Sequence, residues 1–107
     1  MVFSTLDGYP VTKGHTLVIP KRHFLDYFDS TKEEREAIFE LLEKQKYKLL
    51  KEDPTIQGFN VGINIGEMAG QSIFHLHVHL FPRRKGDIEN PRGGVRGIIP
   101  SKRNYSK

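Results

Sequence analysis

Apolar and polar positions divide the chain into short runs with a period of two and one long run with a period near that of a helix. His15-Thr16-Leu17-Val18-Ile19-Pro20 is rich in β-branched residues and stopped by a proline, which predicts a strand after the Gly- and Pro-punctuated turn Gly8–Gly14. A short edge strand is expected at Val2–Leu6. From Thr31 to Glu52, Ala37, Ile38, Leu41, Leu42, Leu49 and Leu50 recur at helical spacing, with Phe39 and Tyr47 broadening the stripe. Thr31 with Glu34, or Ser30 with Glu33, fits a capping box at its start, and Asp53-Pro54 ends it. Gly58–Gly66 alternates apolar with small or polar residues and predicts another strand, with Asn64 on it. The Gly66–Gly70 loop then leads, through the turn Gly70-Gln71-Ser72, into a last strand that carries His75, His77 and His79 and ends at Phe81-Pro82.

That order implies an α+β fold with a mainly antiparallel sheet packed by one long helix, because Gly66–Gly70 is far too short for the crossover a parallel pair needs. Residues 1–107 read as a single domain whose polar extension begins at about residue 84. Within the extension only Gly94–Pro100 looks able to order, and Lys102–Lys107 reads as a flexible basic terminus.

The last run holds the chemistry. His75, His77 and His79 alternate with Leu76, Val78 and Leu80, so on a strand the imidazoles line one face, with α-carbons roughly 6.6 Å apart, while the aliphatic residues enter the core. Such a row suits a phosphate or a metal. A neutral imidazole is a competent nucleophile at phosphorus, and a second one nearby can stabilise charge and assist the leaving group. Gly70, Gln71 and Ser72 offer amides, a hydroxyl and a carboxamide as an anion nest, and Asn64 a further donor. Alternatively, His75, His77 and His79 are the ligands of a metal-dependent enzyme. A third reading is a non-catalytic nucleotide binder.

Composition narrows these choices. With no cysteine there is no disulfide, thiolate metal site or cysteine nucleophile. No apolar run reaches membrane-spanning length and the first residues lack the pattern of a signal peptide, so a cytoplasmic protein is expected. A net charge of +4 favours an anionic partner; nucleic acid is not the expected one, since the basic tail carries a single aromatic and no recognised motif.

His75-Leu76-His77-Val78-His79-Leu80-Phe81 resembles the histidine-triad signature at every position, and Gly14-His15-Thr16-Leu17-Val18-Ile19-Pro20-Lys21-Arg22-His23 is similar to the same family's upstream strand. The resemblance implies a histidine-triad (HIT) fold, usually as a homodimer, and a nucleotide hydrolase or transferase acting at an α-phosphate and releasing a nucleoside monophosphate. It implies His77 as the nucleophile of a nucleotidyl-histidine intermediate, His79 on the phosphate and leaving group, and His75 and His15 in support. Gly70, Gln71, Ser72 and Asn64 would hold the phosphates, with Ser72 or Gln71 near the leaving group, and Asp7 the ribose hydroxyls. Histidine rather than glutamine at position 79 points to the hydrolase branches, phosphoramidases or dinucleoside polyphosphate hydrolases, and Phe81–Asp87 resembles the latter. No cofactor is implied beyond magnesium accompanying a polyphosphate. Phe3 and Leu6 are candidates for a base pocket, and Arg83 and Arg84 for neutralising a long polyphosphate.

Overall fold

The structure, a computed structural model, describes residues 1–105. Strands β1 (Val2–Leu6), β2 (Thr16–Pro20), β3 (Ile56–Gly62) and β4 (Val78–Arg84) form one antiparallel sheet in the order β1-β2-β4-β3. Helix α1 (Lys32–Glu52) lies between β2 and β3 in the chain. The α+β architecture expected from the sequence is therefore the one observed.

The helix starts where the Thr31–Glu34 register predicts. The Thr31 hydroxyl accepts from the Glu34 amide and the Glu34 carboxylate accepts from the Thr31 amide. The Arg22 guanidinium forks onto the same carboxylate and holds it well below the usual range, at about 2. Ile38 of α1 meets Val18, Leu76 and Val78 in the buried core. Phe39 and Tyr47, expected in the stripe, are 64% and 61% exposed. Each residue turns about 100° around the axis, so a neighbour of a core position readily misses the sheet.

Two strand boundaries differ from expectation, for one reason. β4 begins at Val78, so His75 and His77 precede the ladder instead of riding on it. In the β2–β4 register Val18 faces Val78, which would place Pro20 opposite Leu76. Proline has no N–H to continue the pairing, and the Leu76 amide donates to the Phe24 carbonyl instead (2.7 Å). With no partner strand before Val78, β3 stops at Gly62, and Asn64 sits in an exposed loop. The alternation itself persists: Leu76, Val78 and Leu80 are all buried, and the three histidines are half-buried on the other side.

The extension orders further than expected. Short 3-10 turns form at Gly94–Ile98 and Pro100–Lys102, and the Arg92 and Arg96 guanidinium carbons lie 5.2 and 4.8 Å from the Tyr105 ring centre. Ser106 and Lys107, the end of the tail expected to be flexible, lie outside the described residues.

Candidate active site

Opposed residues of antiparallel strands share a face. The buried faces of β2 and β4 pack on α1, so the other face carries Leu17, His79 and Gly62 in one row and Asn60 and Phe81 in the next. Phe3 and Ile19 continue that face on β1 and β2. Leu6 is opposite Thr16, which is opposite Leu80, so it belongs to the helix side and not beside Phe3 as a base pocket requires.

His15 precedes β2 and is 2% exposed. Its Nδ1 accepts from the Val11 amide (3.2 Å), so its proton is on Nε2, which donates to His79 Nδ1 at 2.9 Å. The same His15 nitrogen lies 3.5 Å from Asp7 Oδ2, while Asp7 Oδ1 accepts from the Tyr9 amide. In the neutral state the His79 proton is then on Nε2, which makes no hydrogen bond among the described residues. Burial pushes both imidazoles below the ordinary 6.5; the Asp7 charge opposes the shift on each, and His77 and His15 add to it on His79.

His77 is oriented differently. Its Nδ1 is 2.9 Å from the His75 carbonyl oxygen, which can only accept, so Nδ1 carries the proton and Nε2 holds the free lone pair. His75 in turn donates from Nε2 to the Pro20 carbonyl (2.7 Å). The His77 and His79 rings lie 5.0 Å apart, nearly perpendicular. One imidazole thus offers a lone pair where its neighbour offers a proton, which is the complement a phosphoryl centre requires.

Phe81 was not foreseen as part of the site. Its ring is stacked with His79 at 5.2 Å and packs against His15 at 4.3 Å. Its position two residues beyond His79 was the available signal. The His23 ring, 4.7 Å from that of His75, also joins the cluster. The Val11 amide had no sequence signal at all.

The loop before the triad is shaped by Gly66 and Gly70, both at positive φ, around a 3-10 turn at Glu67–Ala69. Gly70 adjoins the Asn64 carboxamide, with 3.9 Å to an added Cβ, and Ser72 is exposed. Gln71 is 2% exposed, and its carboxamide is taken up by the chain: it accepts from the Gly66 amide and donates to the Leu25 and Ile73 carbonyls. Arg83 is engaged by Asp87 and Asn60, and Arg84 by Asp53, Thr12 and the Lys13 carbonyl. Neither arginine expected to neutralise polyphosphate is free.

Among the described residues, one group brings three metal-ligating atoms within 4.8 Å of one another, and it is Asp7, His15 and His79 rather than the triad considered as a metal site. In the triad, His75 and His77 each spend one ring nitrogen on a main-chain carbonyl, and their remaining nitrogens do not converge with one of His79 within that distance. The group that does converge fits a cation poorly, since His15 Nε2 bears the proton imposed by the Val11 amide.

The structure is an α+β protein with one helix covering a four-stranded antiparallel sheet, whose open face bears a row of histidines with complementary nitrogens. The chain belongs to the HIT domain family, which it matches over residues 1–86. It is 38% identical over 88 residues to a Mycobacterium tuberculosis protein named AP-4-A phosphorylase, covering 81% of this chain and 45% of that one. A HIT family protein from Bacillus anthracis shares 45% identity at a TM-score of 0.75, covering 80% and 60% of the two chains. A zinc-bound histidine triad family protein from Mycobacterium smegmatis shares 36% at 0.74, covering 83% and 64%. The chain spans 55–59% of the length of the first curated relatives it matches. No helix among the described residues is long and apolar enough to cross a membrane.

Proposed function

We propose that this chain is a nucleotide hydrolase acting at an α-phosphate, of the diadenosine polyphosphate or AMP-phosphoramidate type, through a covalent nucleotidyl-histidine. The observation that carries the reading is the opposed tautomer of neighbouring imidazoles, His77 with a free Nε2 and His79 with a free Nε2–H. In the first step His77 Nε2 bonds to phosphorus, and the bond from phosphorus to the leaving group breaks with its electron pair. The cationic ring that results keeps its Nδ1–H on the His75 carbonyl. The His79 proton stabilises the phosphate and leaving group. In the second step water bonds to phosphorus, the N–P pair returns to Nε2, and the surplus proton passes to solvent, releasing a nucleoside monophosphate.

His75 and His15 act as positioning residues here. Gly70, Asn64 and Ser72 border the phosphates, and Gln71 supports them by holding the loop. Asp7 retains lone pairs for ribose hydroxyls, and Leu17, Ile19 and Phe3 give an apolar surface for the base. This chemistry uses side chains alone; magnesium enters only as a counterion of a polyphosphate. We place the protein in the cytoplasm as a homodimer. The second copy would cover a groove of about 720 Å³ between α1 and the edge strand β3, where Phe39 and Val61 are 64% and 50% exposed.

The deciding experiment is AMP release from adenosine 5′-phosphoramidate and diadenosine polyphosphates in EDTA, by wild type and His77→Ala. Turnover by wild type and none by His77→Ala, with AMP still bound, is the expected result. A His77→Ala protein as active as wild type removes the nucleophile assignment.

A further inference from the structure

The C-terminal segment takes no part in the steps above, yet it carries the charge of the chain. Residues 83–107 hold eight lysines and arginines against two carboxylates, a net +6, so the preceding residues sum to −2. Most of the segment lies beyond residue 86, where the match to the family ends. Arg83 and Arg84 are neutralised by Asp87 and Asp53. Among the described residues, Arg92, Arg96, Lys102 and Arg103 have no carboxylate within 4.0 Å.

The three arginines are held in place by uncharged groups. Arg92 and Arg96 lie against Tyr105, Arg96 donates to the Lys102 carbonyl, and Arg103 donates to the carbonyls of Asn90 and Arg92. Gly93 permits the fold: its φ is +95°, and a Cβ there would stand 2.5 Å from the Arg103 carbonyl oxygen. Fixed guanidinium groups without counter-charges are a preorganised anion surface, with side-chain ordering already met.

The lobe borders the histidine face. A Cβ on Gly94 would lie 3.7 Å from Asn60 Nδ2, and Asn60 is opposite Phe81, which stacks on His79. Asp7 and His15 lie on the β2 side of His79, and Asn60 and the lobe on the β3 side. A nucleotide with its ribose at Asp7 and its α-phosphate at His79 would thus have the lobe on the side of the phosphate away from the ribose.

We propose that the lobe of residues 87–105 binds an anionic leaving group, so that the substrate is a nucleotide extended at its α-phosphate by an oligophosphate chain rather than by an amine. The proposal rests on the hydrolase reading above. When the P–O bond breaks, the electron pair stays on the oligophosphate oxygen. The cations of the lobe meet that charge, and no proton is required.

The test compares diadenosine tetraphosphate with adenosine 5′-phosphoramidate over a potassium chloride series. The proteins are wild type, a double variant carrying Arg92→Gln and Arg96→Gln, and the corresponding double lysine variant. Screening predicts that wild-type kcat/KM for the tetraphosphate falls steeply with salt while the phosphoramidate value stays nearly flat. The glutamine pair should lose about tenfold or more on the tetraphosphate, mainly in KM, and the lysine pair should recover most of it. Equal losses on both substrates, or no loss on the tetraphosphate, overturn the proposal. A second measurement needs no variant: inorganic tripolyphosphate should inhibit wild-type phosphoramidate turnover, with an inhibition constant that rises with salt. Absence of inhibition in an active enzyme overturns the lobe and leaves the hydrolase standing. A wild-type protein inert on both substrates overturns both readings.

Discussion

Replacing Gln71 by alanine separates two roles for a residue that sequence reasoning placed on the phosphate. Gln71 is 2% exposed, and its carboxamide makes three hydrogen bonds, to the Gly66 amide and to the Leu25 and Ile73 carbonyls. A net hydrogen bond contributes about 1 kcal/mol, and a buried partner left unsatisfied costs about 1–3 kcal/mol. Leu25 and Ile73 are exposed, so water can replace the lost donors at their carbonyls; the half-buried Gly66 amide recovers less. The sum is about 2–3 kcal/mol, with a smaller addition for the vacated side-chain volume. In a domain near this size that lowers the melting temperature by about 8–20 °C. Urea unfolding of the two proteins without any nucleotide reads the quantity directly, because a residue whose work is to bind phosphate is silent in the empty protein. A difference in unfolding free energy under about 0.5 kcal/mol, the range of neutral surface changes, refutes the structural role and returns Gln71 to the substrate.

Two further predictions concern pH and assembly. His15 and His79 are pushed below their ordinary 6.5, so the unfolded chain takes up protons there before the folded one does, and stability is lost as pH falls below about 6.5. Asp53 and Glu34, held at about 2, add a separate loss only as pH falls below about 4. Unfolding midpoints from pH 8 to pH 3 should therefore decline in two stages, and a smaller first stage in His15→Gln checks its origin. Val61→Glu should halve the mass measured by light scattering; an unchanged mass shows that the groove beside β3 is not the dimer surface.

The sequence was informative wherever side-chain pattern decides structure. The capping box, the core alternation of Leu76, Val78 and Leu80, and the antiparallel order all follow from residue type and loop length. The strand ends were not legible, because Pro20 acts on a partner more than fifty residues away, and no local pattern around His75 reports it. Gln71 was misread for a related reason: a buried carboxamide and a substrate-facing one look alike until its neighbours are known. The histidines were visible, but not which nitrogen of each is free. Phe39 and Tyr47 show the limit of periodicity, since a widened stripe and an unpartnered flank share one sequence pattern.

The proton positions of this site are set by main-chain atoms: the Val11 amide, and the carbonyls of His75 and Pro20. Every amino acid supplies a carbonyl, and every one but proline supplies an amide. A full substitution scan would accordingly find position 11, whose side chain is 78% exposed, tolerant of most residues, although its amide holds an imidazole in its working form. At position 11 proline alone would register as forbidden. Such a site can keep its chemistry while much of its surrounding sequence drifts, and its relatives remain recognisable by a handful of histidines and glycines.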